Sequence, residues 1–175
     1  EIIMAVRSGI PEKGEAVKKF SGNNNIHMEY VDLADFESIK NLISQVKKKY
    51  KQIDILICNA AVVVKESRLT KYDFDEMFSV NYLAKFFLIN SLLKENCIKI
   101  NDDDPSRIII VSSESHRNPT EFEWDTFGEF THHKMAKTVE RYGYYKLLLT
   151  TFSRELERRI NREKKQFAVY SLCPG

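Results

Sequence analysis

Tyr142 and Lys146 stand four residues apart in the stretch Tyr142-Gly143-Tyr144-Tyr145-Lys146. In a helix that spacing puts both side chains on one face. A phenol ordinarily titrates near pH 10, too high for a proton shuttle at neutrality. A nearby ammonium favours the phenolate and lowers that value. A shift of two or three units corresponds to about 3–4 kcal/mol, within reach of a close charge. Such a phenol can exchange a proton with an alcohol or carbonyl oxygen. A serine hydroxyl can hold the same oxygen, and Ser112-Ser113 follows an apolar run over 107–111.

Two further features precede this pair. Asn59-Ala60-Ala61 follows the apolar run 53–58, and a polar-small-small turn lets a ligand lie close to the backbone. Asn81 interrupts an otherwise apolar stretch over 72–94, and a buried amide needs partners. It either bonds a neighbouring backbone or serves a site. Alone, each feature has an ordinary structural reading: a satisfied core amide, a strand end, a common helical spacing. Their order along the chain carries the argument.

The elements that must position these residues follow from hydrophobic periodicity. Short runs rich in Ile and Val predict strands over 1–6, 26–31, 53–58, 107–111 and 166–172. Apolar residues at intervals of three and four predict helices over 12–20, 36–50, 72–94 and 135–160, with Asp35 as an N-cap. The alternation predicts an α/β domain with a parallel sheet covered on both faces. Ligands bind such sheets at the carboxyl ends of the strands. With 175 residues, one domain over 1–175 is expected.

Composition narrows the function classes. The formal charge of +2 makes nucleic acid an unexpected partner. No run of 18 apolar residues is present, so no membrane-spanning segment is expected within this chain. Cys58, Cys97 and Cys173 are odd in number and widely spaced, which fits a reducing compartment rather than a disulfide framework. His132-His133 has no third ligand at metal spacing, so no metal is expected. Lys47-Lys48-Lys49 reads as the solvated end of a helix, and 101–105 as a turn.

Taken in order, Asn59-Ala60-Ala61, Asn81, Ser113, Tyr142-x-x-x-Lys146 and Pro174-Gly175 resemble the short-chain dehydrogenase/reductase family over essentially the whole chain. The run 107–117, Arg-Ile-Ile-Ile-Val-Ser-Ser-Glu-Ser-His-Arg, is similar to the retinol dehydrogenase and WW-domain-containing oxidoreductase branch. The resemblance implies a Rossmann-like doubly wound parallel sheet and a nicotinamide-dependent oxidoreductase acting on a lipophilic alcohol or carbonyl, retinoid- or steroid-like. It implies Tyr142 as general acid/base and Lys146 as the group that lowers its pKa and bonds the nicotinamide ribose. Ser113 would orient the substrate oxygen, and Asn81 would hold a relay water near Lys146. Asp32, followed by Leu33, would meet the adenine, Asn59, Ala60 and Ala61 the adenosine side, and Pro174 and Gly175 the nicotinamide end. Arg7 stands where NAD-preferring members carry an acid, which points to NADP(H) rather than NAD. Family members often dimerise through the helices matching 72–94 and 135–160, so a homodimer is one expectation. The resemblance leaves cytosolic and membrane-associated settings open.

The chain departs from the family in several places. The family's first strand and its Thr-Gly-x-x-x-Gly-Ile-Gly loop are not in the sequence, and the segments after Gly175 are absent too. The sequence therefore reads as part of a longer enzyme. The missing strand would lie between 1–6 and 53–58, leaving two inner edges unpaired. A truncated interaction module without turnover is the alternative function. Ala61 replaces the usual Gly, and Tyr145 is bulky where a small residue often precedes the lysine, so it is expected to crowd the cofactor face. The aromatic insert 116–137 reads equally as a lipophilic substrate wall or as a loop packed on the body.

Overall fold

The computed structural model describes residues 1–99, 105–119, 121–130, 132–162 and 167–174. Strands and helices alternate: β1 (Ile2–Val6), α1 (Glu12–Ser21), β2 (Ile26–Tyr30), α2 (Phe36–Gln45), β3 (Ile55–Cys58), α3 (Glu76–Phe78), α4 (Ala84–Lys94), β4 (Ser106–Val111), α5 (Met135–Arg162) and β5 (Phe167–Leu172). Every strand pairing is parallel. The sheet is divided: β1 pairs with β2, and β3, β4 and β5 form a separate sheet in that order. The break falls between β1 and β3, where the sequence places an unpaired gap.

Local chemistry sets the helix boundaries. Asp35 caps α2 by accepting from the Glu37 amide at 3.0 Å. Its carboxylate also takes Lys71 and the Tyr72 hydroxyl, which hold it at about 2. Tyr72 is thereby anchored ahead of the third helix rather than within it. That helix begins at α3, where the buried Asp75 caps Phe78 at 2.9 Å. A π-turn over Ser79–Leu83 then leads into α4. The stretch expected as one helix over 36–50 likewise ends in a π-turn, Val46–Tyr50. The expected turn residues 101–104, the strand start at Gln166 and the site residue Gly175 lie outside the described residues.

The main core joins Cys58, Ile108, Ile110 and Val169 of the sheet to Ile39 and Leu42 of α2, Leu88, Ile89 and Leu92 of α4, and Leu149 and Leu156 of α5. Coverage of both faces, expected from the alternation, holds over β3–β5 for one face only among the described residues. Ile55 and Ile57 on the opposite face are 48% and 60% exposed, and Tyr170, in register with Ile57 across β4, is exposed on β5. Of the helices, α2, α4 and α5 all contribute to the single covered face. Among the described residues no helix is long and apolar enough to cross a membrane, and no group of three His, Cys, Asp or Glu side chains could hold a metal.

Candidate active site

Parallel pairing brings the carboxyl ends of β3, β4 and β5 to one edge. Cys58 is in register with Ile110, and Val111 with Leu172. Asn59, Ser112 and Cys173 therefore follow one another along the same rim. The two serines separate at once. Ser112 is buried, and its Oγ lies 2.6 Å from Thr150 Oγ1, fastening β4 to α5. Ser113 is half-buried and caps a short 3₁₀ turn, Glu114–Arg117, through the Ser115 amide.

The helix α5 brings Tyr142 to Ser113. Burial pushes the phenol up from its ordinary value, and the nearby Ser113 hydroxyl pulls it partly back. Lys146 sits on the same helical face, its Nζ 5.5 Å from the centroid of the Tyr142 ring. It is 1% exposed and donates to the Val111 carbonyl at 2.8 Å. Burial lowers its own proton affinity. The spacing argument has the ammonium acidifying the phenol. Here the ammonium lies over the ring and points a proton at a carbonyl, so desolvation decides the direction and Tyr142 stays protonated at neutral pH.

Asn81 is fully buried on the π-turn. Its Oδ1 accepts from the Val62 amide and its Nδ2 donates to the Val62 carbonyl, both at 2.8 Å. The side chain thus clamps the loop that follows Asn59, Ala60 and Ala61, all three exposed at the rim. Asn81→Ala leaves both Val62 groups without that partner. It is expected to cost about 1–3 kcal/mol of stability, read as a lower urea midpoint. An unchanged midpoint would show that the clamp is not structural.

The remaining candidates are placed as follows. Asp32 and Leu33 form the turn between β2 and α2, with Asp32 Oδ1 accepting from the Ala34 amide and Leu33 packing on the main core. Arg7 is exposed immediately after β1. Pro174 is exposed two residues past β5. Tyr145 does not crowd the rim: it is 4% exposed, and its ring packs against Phe78 with centroids 5.7 Å apart. The insert divides between its two readings. Phe127 packs on Phe78 and Tyr82, while Trp124 is 67% exposed. A groove of about 230 Å³ lined by Glu123, Arg141 and Tyr144 lies beside the insert and does not include Ser113, Tyr142 or Lys146.

Two residues belong to this site that spacing did not single out. Cys173 is near enough to bear electrostatically on both Tyr142 and Lys146. Its position directly before Pro174 was the available signal. Gly143 allows α5 to approach the 3₁₀ turn: a Cβ there would lie 2.4 Å from the Ser115 carbonyl oxygen. No single-sequence signal distinguishes that glycine from one placed by chance.

The chain is similar to several proteins of known sequence and structure. A family profile described as "short chain dehydrogenase" matches residues 2–123. Retinol dehydrogenase 13 of Homo sapiens is 32% identical over 182 residues, covering 99% of this chain and 50% of that protein. The WW domain-containing oxidoreductase of Gallus gallus is 33% identical over 137 residues, covering 75% of this chain and 32% of that one. The crystal structure of an uncharacterized protein from Mycobacterium Paratuberculosis superposes with a TM-score of 0.78 at 25% identity, over 99% of this chain and 58% of that one. The chain thus spans half or less of the length of these curated relatives.

Proposed function

The chain belongs to the short-chain dehydrogenase family, and on that premise we propose that it interconverts an alcohol and a carbonyl on a lipophilic small molecule with NADP(H). The observation that carries this reading is the meeting of three groups on two elements. The Ser113 hydroxyl lies close enough to Tyr142 to lower its pKa, and the Lys146 amine lies 5.5 Å from the same ring.

The donor set at the rim fits the nicotinamide end of such a cofactor. Lys146 is buried, donates to one carbonyl, and forms no ion pair with a carboxylate among the described residues. Its other N–H donors suit ribose hydroxyls. The bound nicotinamide supplies the hydride. Ser113 donates to the substrate oxygen and holds it beside Tyr142. Tyr142, kept protonated by burial, gives its proton to that oxygen as the carbonyl becomes an alcohol, and takes it back in the reverse direction. Asn81 keeps the 59–62 loop in place through Val62. Asp32 and Leu33 would meet the adenine, Asn59, Ala60 and Ala61 the adenosine, and Pro174 the nicotinamide end.

Arg7 supports NADP(H). It is exposed at the end of β1, forms no ion pair among the described residues, and suits a 2′-phosphate. Oxidation of NADPH and of NADH by a series of lipophilic aldehydes and ketones tests the whole reading, and no turnover with any of them overturns it. Arg7→Asp is expected to move the ratio of kcat/KM values by about 10–100-fold towards NADH, the worth of a charged hydrogen bond. An unmoved ratio rejects the role of Arg7 and leaves the reaction standing.

A further inference from the structure

His116 stands in the 3₁₀ turn that follows the site serine, and the chemistry above does not use it. Its backbone amide donates to the Ser113 carbonyl at 3.0 Å, the bond that opens the turn Glu114–Arg117. The half-buried ring bends back onto the same oxygen, with Nδ1 2.6 Å from the Ser113 carbonyl. A carbonyl oxygen only accepts, so Nδ1 carries the proton, and in the neutral ring Nε2 is the bare nitrogen. The bond therefore fixes the tautomer as well as the ring. Ser115 holds the side chain of the same serine. Its amide donates to Ser113 Oγ at 3.3 Å, and the two hydroxyls are 3.2 Å apart. Ser113 is thus gripped by its hydroxyl and by its carbonyl, and the ring bond is the shortest of these contacts.

A turn this short has little else to hold it. Its other backbone bond, from the Asn118 amide to the Ser115 carbonyl, is 3.2 Å long. Hydrogen bonds in 3₁₀ geometry are also poorer than those of an α-helix. The Ser115 carbonyl in turn stands against Gly143, the neighbour of Tyr142 on α5. What fixes this turn therefore sets where Ser113 meets Tyr142. We propose that His116 is a positioning residue for the reaction: its Nδ1–H, held on the Ser113 carbonyl, fixes the Ser113 backbone so that the hydroxyl stays on the substrate oxygen beside Tyr142. This rests on reading Ser113 as the group that holds that oxygen.

Ring ¹⁵N chemical shifts of His116, recorded by NMR on the neutral ring in alkaline solution, test the bond in the unaltered protein without any turnover. A protonated Nδ1 and a bare Nε2 are expected, and the reverse assignment overturns the proposal. His116→Leu removes the donor and keeps apolar bulk. It is expected to lower kcat for carbonyl reduction by about 10–100-fold, the order of an ångström-scale misplacement, with the KM for NADPH in place. Its alkaline limb should move to higher pH, because Ser113 is the group that lowers Tyr142. Lys146 and Cys173, which also bear on Tyr142, are the same in every variant. His116→Asn sets an amide N–H where Nδ1 stood, and is expected to bring kcat to within a few-fold of the unaltered protein and the limb back to its place. A leucine variant whose kcat or alkaline limb stays where it was, whatever its Tm, overturns the proposal. So does an asparagine variant about ten-fold or more below the unaltered protein in kcat, an outcome that decides the matter even if the leucine variant fails to fold. Loss of the His116 role leaves the oxidoreductase reading intact, and absence of turnover leaves the tautomer readable.

Discussion

Tyr142→Phe is expected to lower carbonyl turnover with NADPH by about 10²–10⁴-fold, the range that a positioned general acid supplies. The substitution removes one hydroxyl and keeps the ring. That ring packs on a second apolar cluster built from Val64, Met77, Phe78, Tyr144, Tyr145 and Leu148, so folding is expected to survive. The loss should fall on kcat, because the hydroxyl matters most when charge develops on the substrate oxygen. Burial raises the Tyr142 pKa, so its protonated form persists through neutrality. Reduction should accordingly stay level across the neutral range and decline only on the alkaline side, where the phenol ionises. Ser113→Ala removes the one contact that lowers Tyr142, so the alkaline limb should move to still higher pH as activity drops. Turnover by Tyr142→Phe within a few-fold of the unaltered protein would end the general-acid assignment.

Hydrophobic period read the elements well because it reports which face of a segment is dry. It placed each strand to within two residues and found the long helix that carries Tyr142 and Lys146. It could not place the start of α3. Tyr72 and Phe74 are apolar enough to extend the pattern, but Tyr72 is held by Asp35, a partner 37 residues away. The same limit applies to the site. That Ser113 and not Ser112 meets Tyr142 depends on Thr150 taking Ser112, a contact across two elements. Asn81 was read as either a core amide or a site residue, and its side chain is fully engaged by Val62. Tyr145 is one residue from Lys146 in sequence, but its ring turns into the aromatic cluster against Phe78. What escaped the sequence was consistently the identity of the tertiary partner, not the type of the element.

Gly143→Ala sets two opposing effects against each other, and their sizes decide the outcome. Glycine inside a helix costs roughly 0.5–1 kcal/mol relative to alanine, so on propensity alone the change should stabilise α5. The new Cβ, however, would lie 2.4 Å from the Ser115 carbonyl oxygen and 3.2 Å from its carbon. Both are backbone atoms of the turn that Ser113 caps, and cannot swing aside as a flexible side chain would. Forcing an extra carbon into a packed contact typically costs about 1–3 kcal/mol, more than propensity returns. Relief has to come from α5 and the 3₁₀ turn moving apart, and those are the two elements that hold Tyr142 and Ser113 together. A shift of about 1 Å between reacting groups can cost 10²-fold in rate. Gly143→Ala should therefore lower both the unfolding free energy and kcat, while the bond between Ser112 and Thr150 about two turns further along keeps the rest of α5 seated on β4. Thermal unfolding and steady-state turnover measured on the same sample separate the alternatives. A higher Tm with unchanged kcat would mean that the close approach of α5 to Ser115 does not position Tyr142 and Ser113 for turnover.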